Sequence, residues 1–330
     1  MNSTDSSNAR DAGIAVEVRD LRRSYGEVEA VRGVSFEVAR GEVFCLLGPN
    51  GAGKTTIVEI LEGYRTLSAG DVRVLGIDPA AGKRELRERV GIVLQQCGVQ
   101  STLTVTELVQ MYGRYHVRQR PVDEVIELVE LTEKRDVRAK QLSGGQRRRL
   151  DLALALIGDP DLIFLDEPTT GFDPAARRHA WSTIRSLCEL GKTIFLTTHF
   201  MDEAQALANR VAVMRAGEII AVGRPEDLGG RDLRPAEMRF GLPANLSLAD
   251  LPELPEQQRS LEGDRVLVLT TEPVLAAQRI TTWAIERGLD LGHFSVSQPT
   301  LEDIYLELTG SDDQTPSGEG HRSSTEEAVR

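Results

Sequence analysis

Between an apolar run at residues 43–47 and a helix-like segment at 54–63 stands the stretch Gly48-Pro49-Asn50-Gly51-Ala52-Gly53-Lys54-Thr55-Thr56. It satisfies the pattern G-x-x-x-x-G-K-[ST] in the strand–loop–helix setting that gives the pattern meaning. The chemistry requires these residue types. Glycines let the backbone curl so that successive N–H groups converge on an anion, and the start of the following helix adds its positive end. Lys54 supplies a mobile cation for the β and γ phosphates of a nucleotide, and Thr55 a hydroxyl for Mg²⁺. The alternative, a glycine-rich turn that merely precedes a helix, leaves the lysine and the paired threonines unexplained.

The flanking segments alternate in texture. Residues 14–19, 31–39, 42–47, 72–75 and 90–94 have the apolar, β-branched make-up of strands. Between 104 and 158 strands give way to helical patterns, one opened by Pro121 with Val122, Val125, Ile126 and Val129 on a single face. Strand patterns return at 161–165, 193–197 and 210–214. The simplest architecture is an α/β core over residues 14–230 with a helical insert at about 96–158. After Gly229-Gly230 the composition shifts: residues 231–310 contain no lysine and hold Pro235, Pro243, Pro252 and Pro255. Strand patterns at 265–270 and 292–296 surround a helical one at 274–287. A closing helix at 300–308 has Thr300 as its N-cap and Glu302 or Asp303 in its first turn. This predicts a small α+β domain at 231–310. The two ends, 1–13 and 311–330, are rich in Ser, Asp, Glu, Gly and Thr and are expected to be disordered.

A net charge of −12 argues against nucleic acid as a partner. No apolar run reaches the length of a membrane-spanning helix, and residues 1–13 lack the apolar stretch of a signal peptide. Cys45, Cys97 and Cys188 are far apart and odd in number, which suits a reducing compartment rather than a disulfide framework or a thiolate metal site.

Two further motifs carry chemistry. Leu162-Ile163-Phe164-Leu165-Asp166-Glu167 is an apolar strand that ends in two carboxylates. Charges on a buried strand need partners. Beside a nucleotide, Asp166 would hold Mg²⁺ and Glu167 would polarise the attacking water. Further along, Leu142-Ser143-Gly144-Gly145-Gln146 precedes a helical run in which Leu150, Leu154 and Ile157 share a face. Ser143 caps that helix. A capped helix does not explain Gly144 and Gly145, which weaken it. They open a second helix start to an anion.

Together, GPNGAGKTT, LSGGQ and LIFLDEP in this order resemble the ATP-binding subunit of ABC transporters over residues 14–223. The resemblance implies a P-loop NTPase (RecA-like) core with a helical subdomain, and ATP hydrolysis with Mg²⁺. It also implies a head-to-tail dimer, in which Ser143, Gly144, Gly145 and Gln146 of one subunit close on the nucleotide held by Gly48–Thr56 of the other. Residue by residue, Tyr25 matches the aromatic that stacks on adenine. Gln95 matches the glutamine that contacts Mg²⁺ and the water, with Gln96 leaving the register open by one. His199 matches the switch histidine at the γ phosphate. Asp173 matches the loop coupling the two sites, although Phe172 stands where the family usually has leucine. The run Arg147–Arg149 is, in this family, the polar face of the signature helix.

The segment 299–310, PTLEDIYLELTG, resembles the closing segment of bacterial drug-resistance-type exporter ATPases. That implies a second ATPase subunit, as a homodimer, and a separately encoded transmembrane permease. It further implies efflux of a drug, antibiotic or lipid-like molecule, and a cytoplasmic, peripheral location at the inner face of the membrane. Soluble relatives acting on ribosomes or DNA usually carry two cassettes or a long coiled coil. Importer ATPases of the sugar type end in a larger domain.

Overall fold

The computed structural model describes residues 13–93, 102–243, 245–256 and 258–309. The expectations for residues 1–12, for Gln95, Gln96 and Cys97, and for 310–330 lie outside these. In chain order the elements begin with β1 (Ile14–Tyr25), β2 (Val28–Ala39), β3 (Val43–Leu47), α1 (Lys54–Leu61), β4 (Ala69–Val74), α2 (Lys83–Arg89) and β5 (Val90–Val93). The helices α3 (Val105–Gly113), α4 (Val122–Leu128) and α5 (Gly144–Leu156) follow. The chain then returns to β6 (Leu162–Asp166), α6 (Pro174–Glu189), β7 (Thr193–Thr198), α7 (Met201–Leu207), β8 (Arg210–Arg215) and β9 (Glu218–Gly223). Last come β10 (Ala236–Gly241), β11 (Gln258–Glu262), β12 (Arg265–Thr270), α8 (Pro273–Glu286), β13 (Ser295–Ser297) and α9 (Leu301–Thr309).

The central sheet has the order β5-β6-β7-β3-β8-β9; its first five strands are parallel and β9 is antiparallel. Parallel strands are buried on both faces, and the side-chain period of two divides them between two cores. Val43, Cys45 and Leu47 of β3 face the helices, whereas Phe44 and Leu46 face the antiparallel sheet β2-β1-β4. Phe36, Phe44, Phe164 and Phe195 meet on that second side, with ring centroids 5.2–5.9 Å apart. The result is a stiff platform with the C-terminal ends of β3, β6 and β7 side by side, where an open α/β sheet places its ligands.

The helices α3, α4 and α5 form the insert between β5 and β6, with Leu150, Leu154 and Ile157 buried in the helix-side core. The insert is pinned to the sheet by Arg148, which donates to the carbonyls of Asp166 (3.3 Å) and Pro168 (3.2 Å). Part of the basic run is thus turned inward. A four-stranded antiparallel sheet, β11-β12-β10-β13, packs α8 over Met238, Phe240, Val266 and Val268 as a separate core. The structure redraws the unit expected at 231–310 in one respect. Helix α9 leaves that core, and Leu301 is buried in the helix-side core of the ATPase unit. The strands β9 and β11 carry no clear apolar alternation, and pairing with β8 and β12 is what defines them; β10 alternates Ala236, Met238 and Phe240 inward with Glu237 and Arg239 between them. Among the described residues no helix is long and apolar enough to cross a membrane.

Candidate functional site

The loop after β3 needs glycine at two points for a steric reason. A Cβ at Gly48 would lie 2.4 Å from the Met214 carbonyl oxygen, and one at Gly53 would lie 2.5 Å from that of Ala30. Gly53 also has φ +104°, a left-handed conformation that favours glycine. Helix α1 starts with no side-chain cap, so its first N–H groups are left for an external acceptor. Lys54, its first residue, is 5% exposed, and its ammonium donates to the carbonyls of Gly48 (2.7 Å) and Pro49 (3.1 Å). Burial lowers the Lys54 pKa, an effect opposed by the carboxylates of Glu167 and Asp166. Ala52 is buried, while Asn50, Gly51 and Thr55 are exposed along the rim.

Asp166 and Glu167 stand at the end of β6, beside β7. The Asp166 carboxylate accepts from the Thr197 hydroxyl. Glu167 has φ +46°, and its N–H donates to the Thr197 carbonyl at 3.1 Å. A glutamate held in the left-handed region is strained, and here the strain turns its side chain toward the loop. Its Oε1 lies 3.7 Å from Lys54 Nζ, an ion pair without a hydrogen bond, and 3.3 Å from His199 Nδ1. Its Oε2 accepts from Thr170 Oγ1 at 3.2 Å. The His199 contact is out of line for a hydrogen bond, so Nδ1 is a buried polar atom without a partner among the described residues. Lysine, carboxylate and imidazole therefore converge from three different elements.

The hard oxygen donors here, Asp166, Glu167 and the Thr55 hydroxyl, suit Mg²⁺, which takes few protein ligands and keeps water and phosphate oxygens. No cluster of three or more His, Cys, Asp or Glu that would cage a softer metal occurs among the described residues.

The signature segment is built differently. Ser143 Oγ accepts from Gln146 N (3.3 Å) and the Gln146 side chain accepts from Ser143 N (3.0 Å), a reciprocal cap on α5. At Gly144 and Gly145 an added Cβ would meet nothing within 4 Å, and neither has a positive φ. A cavity of about 540 Å³ is bounded by Gly144, Gly145, Glu167, Thr170, Phe172 and Asp173, and the phosphate loop is not among its described walls. Asp173 caps α6, its Oδ1 accepting from Ala175 N and Ala176 N at 2.9 Å each. Tyr25, at the end of β1, packs its ring against the guanidinium groups of Arg23 (4.8 Å) and Arg65 (5.5 Å).

Comparison with known proteins agrees with this geometry. Residues 31–170 match the family model described as ABC transporter, and residues 236–300 match one described as ABC transporter domain-containing protein-like, C-terminal domain. The chain is 40% identical to the Nod factor export ATP-binding protein I of Rhizobium meliloti (strain 1021), over 90% of this chain and 88% of that protein. It is 38% identical to the protein of the same name from Paraburkholderia xenovorans, over 91% and 98%. The chain belongs to the ABC transporter family. Among solved structures, cbiO1 from clostridium perfringens, part of the ABC transporter complex cbiONQ, superimposes with a TM-score of 0.60. It is 30% identical and covers 65% of this chain and 90% of its own. A dimeric post-hydrolysis ATP-binding cassette bound to ADP and Pi gives 0.57 at 26% identity, over 63% and 98%.

This ABC transporter subunit is an ATP-binding ATPase, and some of its site escapes motif reading. Glu203, on α7, is fully buried; its Oε1 accepts from Thr169 Oγ1 (2.8 Å) and Trp181 Nε1 (3.1 Å). Burial raises its pKa, opposed by the hydroxyl and indole donors around it. It joins the loop after Glu167, helix α6 and the segment after His199. Arg177 adds a second link, pairing with Asp202 (3.0 Å) and lying 4.3 Å over the Phe200 ring, whose centroid is 4.0 Å from that of His199 with the planes tilted by 39°. The available signal was a glutamate four residues after His199, on the helical face shared with Ala204 and Leu207.

Proposed function

We propose that two copies of this ATPase close head-to-tail around two ATP molecules and drive a separate membrane subunit that exports its cargo. The observation that carries the dimer is at Gly144 and Gly145. Each glycine in a helix costs about 1 kcal/mol relative to alanine, and nothing in this chain occupies the space their side chains would take. Their use lies in the approach of another molecule. The helix start they expose borders Glu167 and Asp173 but not the phosphate loop of its own chain.

In this reading Gly48–Thr56 cradles the phosphates, with Lys54 moving from the Gly48 and Pro49 carbonyls onto the β and γ phosphates. Tyr25 stacks on the adenine. Thr55 and Asp166, with Gln95, would hold Mg²⁺, which would supply charge neutralisation at the triphosphate. Glu167 takes a proton from the water as its oxygen bonds to the γ phosphorus and the bond to the β-bridging oxygen breaks. His199, whose Nδ1 faces Glu167, holds the γ phosphate with its ring fixed by Phe200. The partner's Ser143, Gly144, Gly145 and Gln146 close on the same phosphate, and Asp173 positions the start of α6 between the two sites. Export is supported by the naming of the relatives as Nod factor export proteins and by similarity that spans 90% of the chain. The cargo, of drug, antibiotic or lipid-like type, is chosen by the permease, which holds the ATPase at the inner face of the membrane.

A complementation experiment tests the dimer. A Cβ added at Gly144 meets nothing within 4 Å, so Gly144→Asp is expected to fold, which circular dichroism of the variant checks. In a Glu167→Gln background, chains with Lys54→Ala or Gly144→Asp alone should not dimerise with ATP. Their mixture should, because one of the two composite sites is then intact. A mixture that stays monomeric on size-exclusion chromatography with ATP refutes the head-to-tail arrangement.

A further inference from the structure

Hydrolysis as described leaves the segment 299–309 without a task. Three residues separate helix α9 from β13, and the helix is fixed at its start by a reciprocal cap. Thr300 N donates to Asp303 Oδ2 at 2.6 Å, and Asp303 N donates to Thr300 Oγ1 at 3.2 Å. Near its other end Glu307 pairs with Arg234, which also donates to the Gly229 carbonyl at 3.3 Å. Leu301 (1% exposed) and Ile304 (fully buried) provide the apolar anchor. The next residue on that helical face is Tyr305. It packs against the helix-side core, as does Met201, and it walls a cavity of about 290 Å³ whose other sides are Leu47, Gly48, Pro49, Asn50, His199 and Met201.

Resting on the reading of the site given above, we propose that Tyr305 is a positioning residue for hydrolysis. It holds the His199–Met201 segment against the phosphate loop, and so ties the site to the C-terminal sheet. The anchoring is complete without the ring, since Leu301 and Ile304 already bury the helix. What the ring adds is a wall shared with the phosphate loop and the switch histidine. Because β13 runs directly into α9, a displacement of the C-terminal sheet reaches that wall through a short, capped connection. The region after Gly230 thereby acquires a role in setting turnover.

The test uses full-length chains carrying Tyr305→Ala, Tyr305→Phe and, as a control at an exposed position of the same helix, Glu302→Ala. Displacing a catalytic group by about 1 Å costs on the order of 100-fold. The ring is one wall among several, so Tyr305→Ala should lower kcat about ten-fold, with the Kd for MgATP within about two-fold of the parent. Tyr305→Phe should recover kcat to within about two-fold, and Glu302→Ala should leave it unchanged. A role through His199 makes the losses non-additive: His199→Ala with Tyr305→Ala should lose no more than His199→Ala alone. A Tyr305→Ala chain with parental kcat, or additive losses in the double variant, overturns the proposal while leaving the site intact. A His199→Ala chain with undiminished turnover removes the reading of the site, and the proposal with it.

Discussion

Glu62 stands at the C-terminal cap of α1, the helix whose first residue is Lys54. It is 6% exposed, and neither carboxyl oxygen has a hydrogen-bond partner among the described residues. Burial, with Asp166 and Glu59 adding repulsion, pushes its pKa from 4.5 to about 8. In the unfolded chain the group returns to its ordinary value. Between pH 4.5 and about 8 the unfolded chain has released this proton while the folded chain keeps it. The unfolded state then binds fewer protons, and stability falls as pH rises. Below 4.5 both states are protonated and nothing is lost; above about 8 the loss is complete. At about 1.4 kcal/mol per unit, the loss reaches about 3 kcal/mol at pH 7.

Glu62→Gln removes the titration and keeps the shape. Urea unfolding of parent and variant, followed by circular dichroism, should give midpoints that coincide at pH 5 within about 1 kcal/mol. They should diverge by about 3 kcal/mol or more at pH 8.5, with the variant the more stable. Parallel pH profiles for the two chains would show that Glu62 is ionised in the folded state, and the account of its burial would be wrong.

Glu203→Leu leaves Thr169 Oγ1 and Trp181 Nε1 without their acceptor and should destabilise the chain by about 1–3 kcal/mol, whereas Glu203→Gln, which keeps one acceptor oxygen, should cost less; denaturant midpoints separate the two. Gly53→Ala forces φ +104° on a side chain that lies 2.5 Å from the Ala30 carbonyl, so MgATP binding by calorimetry should be lost. Thr300→Ala removes the N-cap of α9 at about 1 kcal/mol and should raise amide exchange at 301–304 with little change elsewhere.

The parts of the site that the sequence made legible are those whose chemistry is contiguous. The phosphate loop, the Asp166-Glu167 strand end and the Ser143 cap each declare themselves within nine residues or fewer, because a tight turn or a helix start dictates residue type locally. The links between them were not legible. Thr197 holds Asp166 and Glu167 only because β7 pairs with β6, and β3 enters between β7 and β8 although it is the first of that sheet's strands in the chain. Glu203 looks like an ordinary polar position until tertiary packing buries it against Thr169 and Trp181. Helix α9 was readable, cap included, but its periodicity is indifferent to which core it joins. The return of Leu301 to the ATPase unit is a fact of topology. Gln95 falls outside the described residues, so its role stays a proposal from the motif alone.

The same contrast between local and long-range features bears on coupling. A helix start carries roughly half a positive charge, too little to hold a triphosphate by itself. Here two such starts, those of α1 and α5, are mounted on different parts of one chain: α1 on the stiff central sheet, α5 on the insert. Arg148 ties α5 to the backbone just after the catalytic strand, at the Asp166 and Pro168 carbonyls. On the proposed reading, the γ phosphate is what draws a partner's α5 onto α1. Loss of that phosphate removes the charge joining them, and the insert is then released together with the loop that carries Glu167. Beside the apolar packing of Leu150 and Leu154 against that strand, the Arg148 guanidinium is the polar part of this connection. Arg148→Met, which keeps the stem and removes the donors, should therefore preserve ATP binding at the Lys54 loop while weakening ATP-dependent dimers in the Glu167→Gln background, as read by size-exclusion chromatography. Dimers of parental stability would mean that the insert and the catalytic strand move independently.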